Sequence, residues 1–244
     1  MSNIWVIFKR EFRGYFITPI AYVFIAIFVF LSGIFAFYIG GFFSRGQADL
    51  QPFFNFHPWL YLFLIPALAM RLWAEERRGG TIELLLTLPL TMPQTVIGKF
   101  LAAWAFTGIA LALTFPMWLS VNYLGEPDNG VIAASYVGSL LMAGAFLAIG
   151  SCISALTKNQ VIAFVLSAVV CLIFVLAGFP VVLNFFSLFA PEVVINAISS
   201  FSFLTHFEGI SKGVIDIRDV IFFLTLIAFW LFANVLLVDL KKAD

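Results

Sequence analysis

Long uncharged runs dominate this chain and limit what it can fold into. From Gly14 to Ser44 there is no Asp, Glu, Lys or Arg, and comparable stretches recur to near the C-terminus. A helix of about 20 apolar residues crosses the hydrocarbon core of a bilayer. The chain is 63% hydrophobic and 11% charged, with a mean hydropathy of +1.08. A soluble domain carries about 25% charge. The fold class expected is therefore an all-α integral membrane protein forming one transmembrane domain over residues 1–244. Six spans are predicted, at about 18–42, 54–73, 96–121, 131–156, 160–184 and 219–238. The segment 184–218 is apolar but broken by Pro191, and is expected to form one or two half-buried helices rather than a further span.

The basic residues set an orientation. If both termini lie on the cytoplasmic side, the inner segments hold Lys9, Arg10, Arg13, Arg71, Arg77, Arg78, Lys99, Lys158, Lys241 and Lys242. The outer segments then hold only Arg45, Lys212 and Arg218. That ten-to-three split follows the positive-inside rule. The first apolar run follows Lys9, Arg10 and Arg13 but is about twice as long as the roughly 7–15-residue core of a signal peptide, so it reads as a retained span. In residues 3–16, Ile4, Trp5, Phe8, Phe12 and Tyr15 keep helical spacing while Lys9, Arg10 and Arg13 face elsewhere. Such a pattern suits an amphipathic helix lying in the membrane interface. The alternative is an ordinary positive flank.

Between the second and third spans lies the most unusual stretch, Arg71 to Gln94, with six charged residues around Leu84-Leu85-Leu86-Thr87-Leu88. Gly79 and Gly80 break the preceding helix. Thr81 can cap a short new helix with Glu83 in its first turn, and Pro89 and Pro93 end it. A helix this short cannot bury its own leucines. The bilayer surface, the bundle or a partner must cover them.

Several chemistries are disfavoured. Gly98-Lys99 is the only Gly-Lys pair and lacks the spaced glycine of a phosphate-binding loop. His57 and His206 are isolated, expected at the outer surface, with no second ligand at metal spacing. Cys152 and Cys171 sit inside apolar runs and read as packing residues. No catalytic residue, metal site or nucleic-acid surface is expected. Spans one, four and five carry no charge, whereas ion-coupled transport needs such groups. A passive channel and a structural or signalling membrane subunit remain as alternatives.

The stretch EERRGGTIELLLTLPLTMPQTVIGKFLA resembles the cytoplasmic coupling segment of type-2 ABC exporter permeases. The matching positions are Glu75, Glu76, Arg77, Arg78, Gly80, Thr81, Glu83, Leu84, Leu85, Pro89, Gly98 and Lys99. With HFEGISKGVIDIRDVIFFL (His206–Leu224), the chain most resembles the gliding-motility-type permeases, relatives of those serving nitrous-oxide-reductase maturation. The resemblance implies a non-catalytic permease subunit of a bacterial inner membrane, multi-pass with cytoplasmic termini. It implies a separate ATPase that holds ATP and Mg, a second permease copy or paralogue, and an auxiliary membrane protein with an extracytoplasmic domain. This chain would bind no cofactor itself. The cargo, or whether there is one, is not legible.

Overall fold

A computed structural model describes residues 3–80, 90–188 and 190–240 of the protein. Among these residues all regular structure is helical. Helix α1 (Asn3–Ile17) leads through Thr18 into α2 (Pro19–Ile34), which ends in a π-helical turn at Phe35–Ile39. Pro19 starts α2 because a first-turn residue needs no N–H to donate. Two short helices, α3 (Phe42–Arg45) and α4 (Gln51–Asn55), precede α5 (His57–Ala69) and α6 (Arg71–Gly79). Next come α7 (Met92–Ala112), α8 (Phe115–Leu124), α9 (Asn129–Ser154) and α10 (Gln160–Leu176). The chain closes with α11 (Pro180–Ser187), α12 (Glu192–Ser200), α13 (Phe203–Ser211) and α14 (Ile217–Leu240).

Sharp caps begin the two central helices. Asp128 Oδ1 accepts the N–H of Gly130 at 2.8 Å, opening α9. Asn159 does the same for α10, taking the Val161 N–H at 2.9 Å. Each satisfies a first-turn donor that has no partner within its helix.

Helix α9 is the hub, with α5, α7, α10, α13 and α14 packed around it. Its small residues permit this. A Cβ on Gly150 would lie 2.5 Å from Ala69 of α5, and one on Gly138 would lie 2.6 Å from Ile210 of α13. Close backbone approach at such sites lets dispersion hold helices together where lipid offers no hydrophobic drive. Gly144 in the same helix meets Trp104 and Ile227.

Among the described residues, four helical stretches are long and apolar enough to span a bilayer: Ala21–Arg45, Met92–Leu124, Asn129–Ser154 and Ile217–Leu240. Counting each bent pair as one span raises this to six. The pairs are α10 with α11, bent by 68°, and α12 with α13, bent by 67°. The expected stretch 54–73 is not among these candidates and is divided between α5 and α6 around Met70. Lys99 nonetheless brings Glu11, ahead of α2, together with Glu76 of α6, so the chain that leaves along α2 is back at the same end of the bundle by α6. The segment 184–218, expected to hold half-buried helices, holds a bent pair, a broken span or a re-entrant loop. Hydropathy alone does not separate an apolar stretch buried in a bundle from one facing lipid, and α5 is largely buried.

The aromatic residues of α2 are divided in use. Phe24 packs on Phe106 and Phe28 stacks on Tyr61 at 5.8 Å, both rings inside the bundle, while Tyr38 is fully outside.

Candidate functional site

At one end of the bundle, α1, α6 and α7 converge on a single buried ammonium. Lys99, in the second turn of α7, is 1% exposed. Its Nζ donates to Glu76 Oε1 at 2.7 Å and lies 3.2 Å from Glu11 Oε2. It also sits 5.4 Å over the Trp73 ring. A lysine taken out of water needs such partners, because an unpaired buried charge is costly. Lys99 is shut off from solvent, because α1 lies over it.

Glycine at position 98 makes that cover possible. A Cβ there would lie 2.8 Å from Ile7 Cγ2, so α1 settles onto α7 with Ile7 buried. Tyr15 and Phe16 then pack on Phe106, with ring centroids 5.0 and 5.8 Å away. On α1, Arg10 donates to Glu11 Oε1 through Nη2 at 2.6 Å and reaches within 3.8 Å of Glu76. Burial pushes the Glu11 carboxyl up, but Lys99 and Arg10 outweigh it and hold the group below the usual carboxylate range.

The root of α6 is tied to the hub. Ser154, at the end of α9 and wholly buried, accepts the N–H groups of Trp73 and Ala74, both at 3.1 Å. Its hydroxyl donates to the Met70 carbonyl at 2.8 Å. One turn earlier, Ser151 accepts from Trp73 Nε1 at 3.3 Å and from Asn234 Nδ2 of α14 at 2.8 Å. The first-turn donors of α6 are thus capped by a different helix. Glu75 pairs with Arg71 on the outer face of α6, Nε to Oε2 at 2.8 Å. Arg78 is exposed, and Arg77 half-buried.

Gly80 ends α6 with φ +69, a left-handed conformation that suits glycine. The chain is next described at Leu90, where Thr91 begins α7; its N–H donates to Gln94 Oε1 at 3.3 Å, one arm of a capping box. Pro93 therefore lies in the first turn of α7. The expectations for Thr81, Glu83, Leu84, Leu85 and Pro89 lie outside the described residues. Of the predicted coupling residues, the structure brings Glu76 into the buried cluster and leaves Glu75 and Arg78 at the surface. Along α1, Trp5, Phe8 and Phe12 form a stacked ladder, with Trp5–Phe8 centroids 4.8 Å apart. Lys9, which lies over Trp5, and Arg10 and Arg13 are exposed.

Sequence reasoning missed Glu11, Ser151 and Ser154. Nothing in the spacing of Glu11 points to a lysine on another helix. The serines look like any small residues of an apolar run.

The histidines correct one expectation. His57 is not at the outer surface but wholly buried, with Nδ1 2.7 Å from Ser139 Oγ, which also meets the Tyr61 hydroxyl at 2.7 Å. His206 bridges Asp219 Oδ1 at 2.6 Å and the Ser200 carbonyl at 2.9 Å. Among the described residues no group of His, Cys, Asp and Glu is arranged to hold a metal.

An all-helical bundle with several helices long and apolar enough to cross a bilayer has the form of a multi-pass membrane protein. Residues 5–238 match the family model described as ABC-2 family transporter protein. The chain belongs to that family. It is a permease subunit of an ABC transporter, a membrane subunit that is not itself catalytic, and the family implies an ABC ATPase as its partner. No curated protein matches the chain.

Proposed function

We propose that this chain converts ATP hydrolysis by a separate ATPase subunit into movement of its own helices, for export or for mechanical work across the membrane. ATP and Mg bind in that partner, and residues 75–89 are the part it grips. Leu84 and Leu85 fill an apolar socket, and the surrounding Glu75, Arg77, Arg78 and Glu83 set orientation and partner choice. Gly80, Thr81 and Pro89 shape the segment.

The observation that carries this reading is the double anchoring of α6. This helix has 9 residues, about 13 Å by helical rise. At its root Ser154 ties it to α9, and Glu76 ties it to Lys99 of α7. A displacement applied beyond Gly80 would be passed to two long helices by buried polar contacts rather than lost in a loop. Lever and anchor are therefore adjacent.

In this reading α1, with Trp5, Phe8, Lys9, Arg10 and Arg13, lies in the lipid interface. Both termini are cytoplasmic, the membrane is a bacterial inner membrane, and a second permease copy or paralogue completes the pathway. An auxiliary extracytoplasmic subunit fits the gliding-type resemblance.

The test is co-purification. Replacing Leu84 and Leu85 together with aspartate should release the ATPase while the permease keeps its melting temperature, since a desolvated unpaired carboxylate costs several kcal/mol, and about 1.4 kcal/mol is tenfold in affinity. Undiminished ATPase recovery would reject the socket. Loss of permease stability would place those leucines in the bundle's own core.

A further inference from the structure

Two clefts of opposite character meet where α1, α2, α5 and α6 join. One, of about 220 Å³, is lined by Glu11, Arg71, Glu75, Glu76 and Lys99. The other, of about 290 Å³, is walled by Ala21, Phe24, Ile27, Leu64, Ala67 and Leu68. Tyr15, Thr18 and Arg71 belong to both walls, so the polar and apolar compartments adjoin along these three residues. Val23 and Ile27, on the apolar wall, are also exposed on the outer face of α2, so that compartment opens toward the bilayer.

We propose that this two-part cleft binds one membrane phospholipid with a zwitterionic, primary-amine head group. An acyl chain enters the apolar compartment from the bilayer, and the head group lies in the polar one. Charge complementarity selects the head group. Arg71 stands at the boundary, held by Glu75 through Nε and Nη2 at 2.8 and 3.0 Å, which leaves Nη1 for a phosphate oxygen. Lys99 is already committed to Glu11 and Glu76. With Arg10, which pairs with Glu11 and Glu76 from behind the wall, the three carboxylates of the wall are matched by three cations, so a purely anionic head group would bring one uncompensated charge while a zwitterion brings none. A phosphate with a nearby ammonium satisfies both signs, with the ammonium donating toward Glu75. A choline head group keeps the charge but has no N–H to donate. Such a lipid would sit against the elbow between α1 and α2 and against the root of α6. The proposal rests on the membrane location of the chain and not on ATPase docking, and it can be tested on the permease alone.

The experiment is native mass spectrometry of the purified permease titrated with phosphatidylethanolamine, phosphatidylcholine and phosphatidylglycerol of identical acyl chains. Phosphatidylethanolamine should bind about tenfold more tightly than the other two, a difference well within one charged hydrogen bond. Ala67→Phe, which fills the apolar compartment, should reduce all three to one weak common level. Glu75→Gln, on an exposed position of α6, should abolish the preference for ethanolamine over choline and raise phosphatidylglycerol binding. If Ala67→Phe does not fold, the Glu75→Gln comparison decides. Equal or tighter binding of phosphatidylglycerol to the unaltered protein would overturn the proposal. So would an ethanolamine preference that survives Glu75→Gln, or weak, unselective binding of all three lipids.

Discussion

Lys99 Nζ of α7 lies 2.7 Å from Glu76 Oε1 of α6, with the lysine side chain only 2% exposed. The contact joins the charged stretch after α5 to a membrane helix, and Glu11 closes it from the third side at 3.2 Å. One ammonium thus holds three helices.

Replacing Lys99 with alanine leaves Glu11 and Glu76 without their common cation. Breaking a buried pair by removing one partner costs about 3–5 kcal/mol; both carboxylates keep some solvent contact, so the lower end is expected. The melting temperature in detergent should fall clearly. Lys99→Met combined with Glu11→Gln and Glu76→Gln should recover much of the loss, because no charge is then stranded. A triple variant no better than Lys99→Ala would show that the charges are not the source.

The same cluster predicts an acid limit. Burial raises the Glu11 pKa, but Lys99 and Arg10 lower it further than burial raises it, so the folded value lies below the unfolded one. The stabilisation is then fully present above the unfolded carboxylate pKa, about 4.3, and is lost as the pH falls through the lower folded value. Thermal stability measured between pH 6 and pH 3 should decline at the acid end. Glu11→Gln should flatten part of that decline; an unchanged acid slope would remove Glu11 from the account.

Ser154→Ala removes the acceptor of two N–H groups and the donor to Met70. Leaving buried polar groups unpaired costs about 1–3 kcal/mol. The permease should melt earlier, and in the assembled transporter ATP hydrolysis should persist while transport-linked conformational change, read by labels on α9, is blunted. Ser154→Thr, which keeps the hydroxyl, should restore both.

Orientation is open to direct measurement. Gln47, Glu126 and Gly79 are all exposed, and the native Cys152 and Cys171 are buried. Single cysteines at Gln47 and Glu126 should react with an impermeant thiol reagent on intact cells, and one at Gly79 should not. The opposite pattern would reverse the proposed orientation and place residues 75–89 out of reach of a cytoplasmic ATPase.

Part of the charged cluster was visible before the fold. Glu75 to Gly80 stood out because charge is scarce, and the structure ends α6 at Gly80 as the paired glycines suggest. Trp5, Phe8, Lys9, Arg10 and Arg13 were expected on one helix; α1 is helical over Asn3–Ile17, with Trp5, Phe8 and Phe12 stacked along it. Lys99 was visible only as part of a motif. Its burial beneath α1 depends on Gly98 and Ile7 meeting across two helices, and no local pattern encodes that.

By itself the sequence determined that the chain is helical and membrane-embedded, because in lipid the backbone must satisfy its own hydrogen bonds over about 20 apolar residues. It also marked some helix ends, at Gly80, Asp128 and Asn159, where a glycine or a capping side chain acts within one turn. Tertiary structure alone decided how much of each apolar stretch is covered by neighbours: α5 is largely buried, while α14 packs on α9 along one face and leaves most of its residues uncovered. It decided too that His57 is buried, that Ser154 caps a helix not its own, and that Glu11 and Glu76 share Lys99. The physical reason is that hydropathy is a local quantity and scores lipid and protein interior alike. Partners for buried polar groups come from packing between helices distant in sequence.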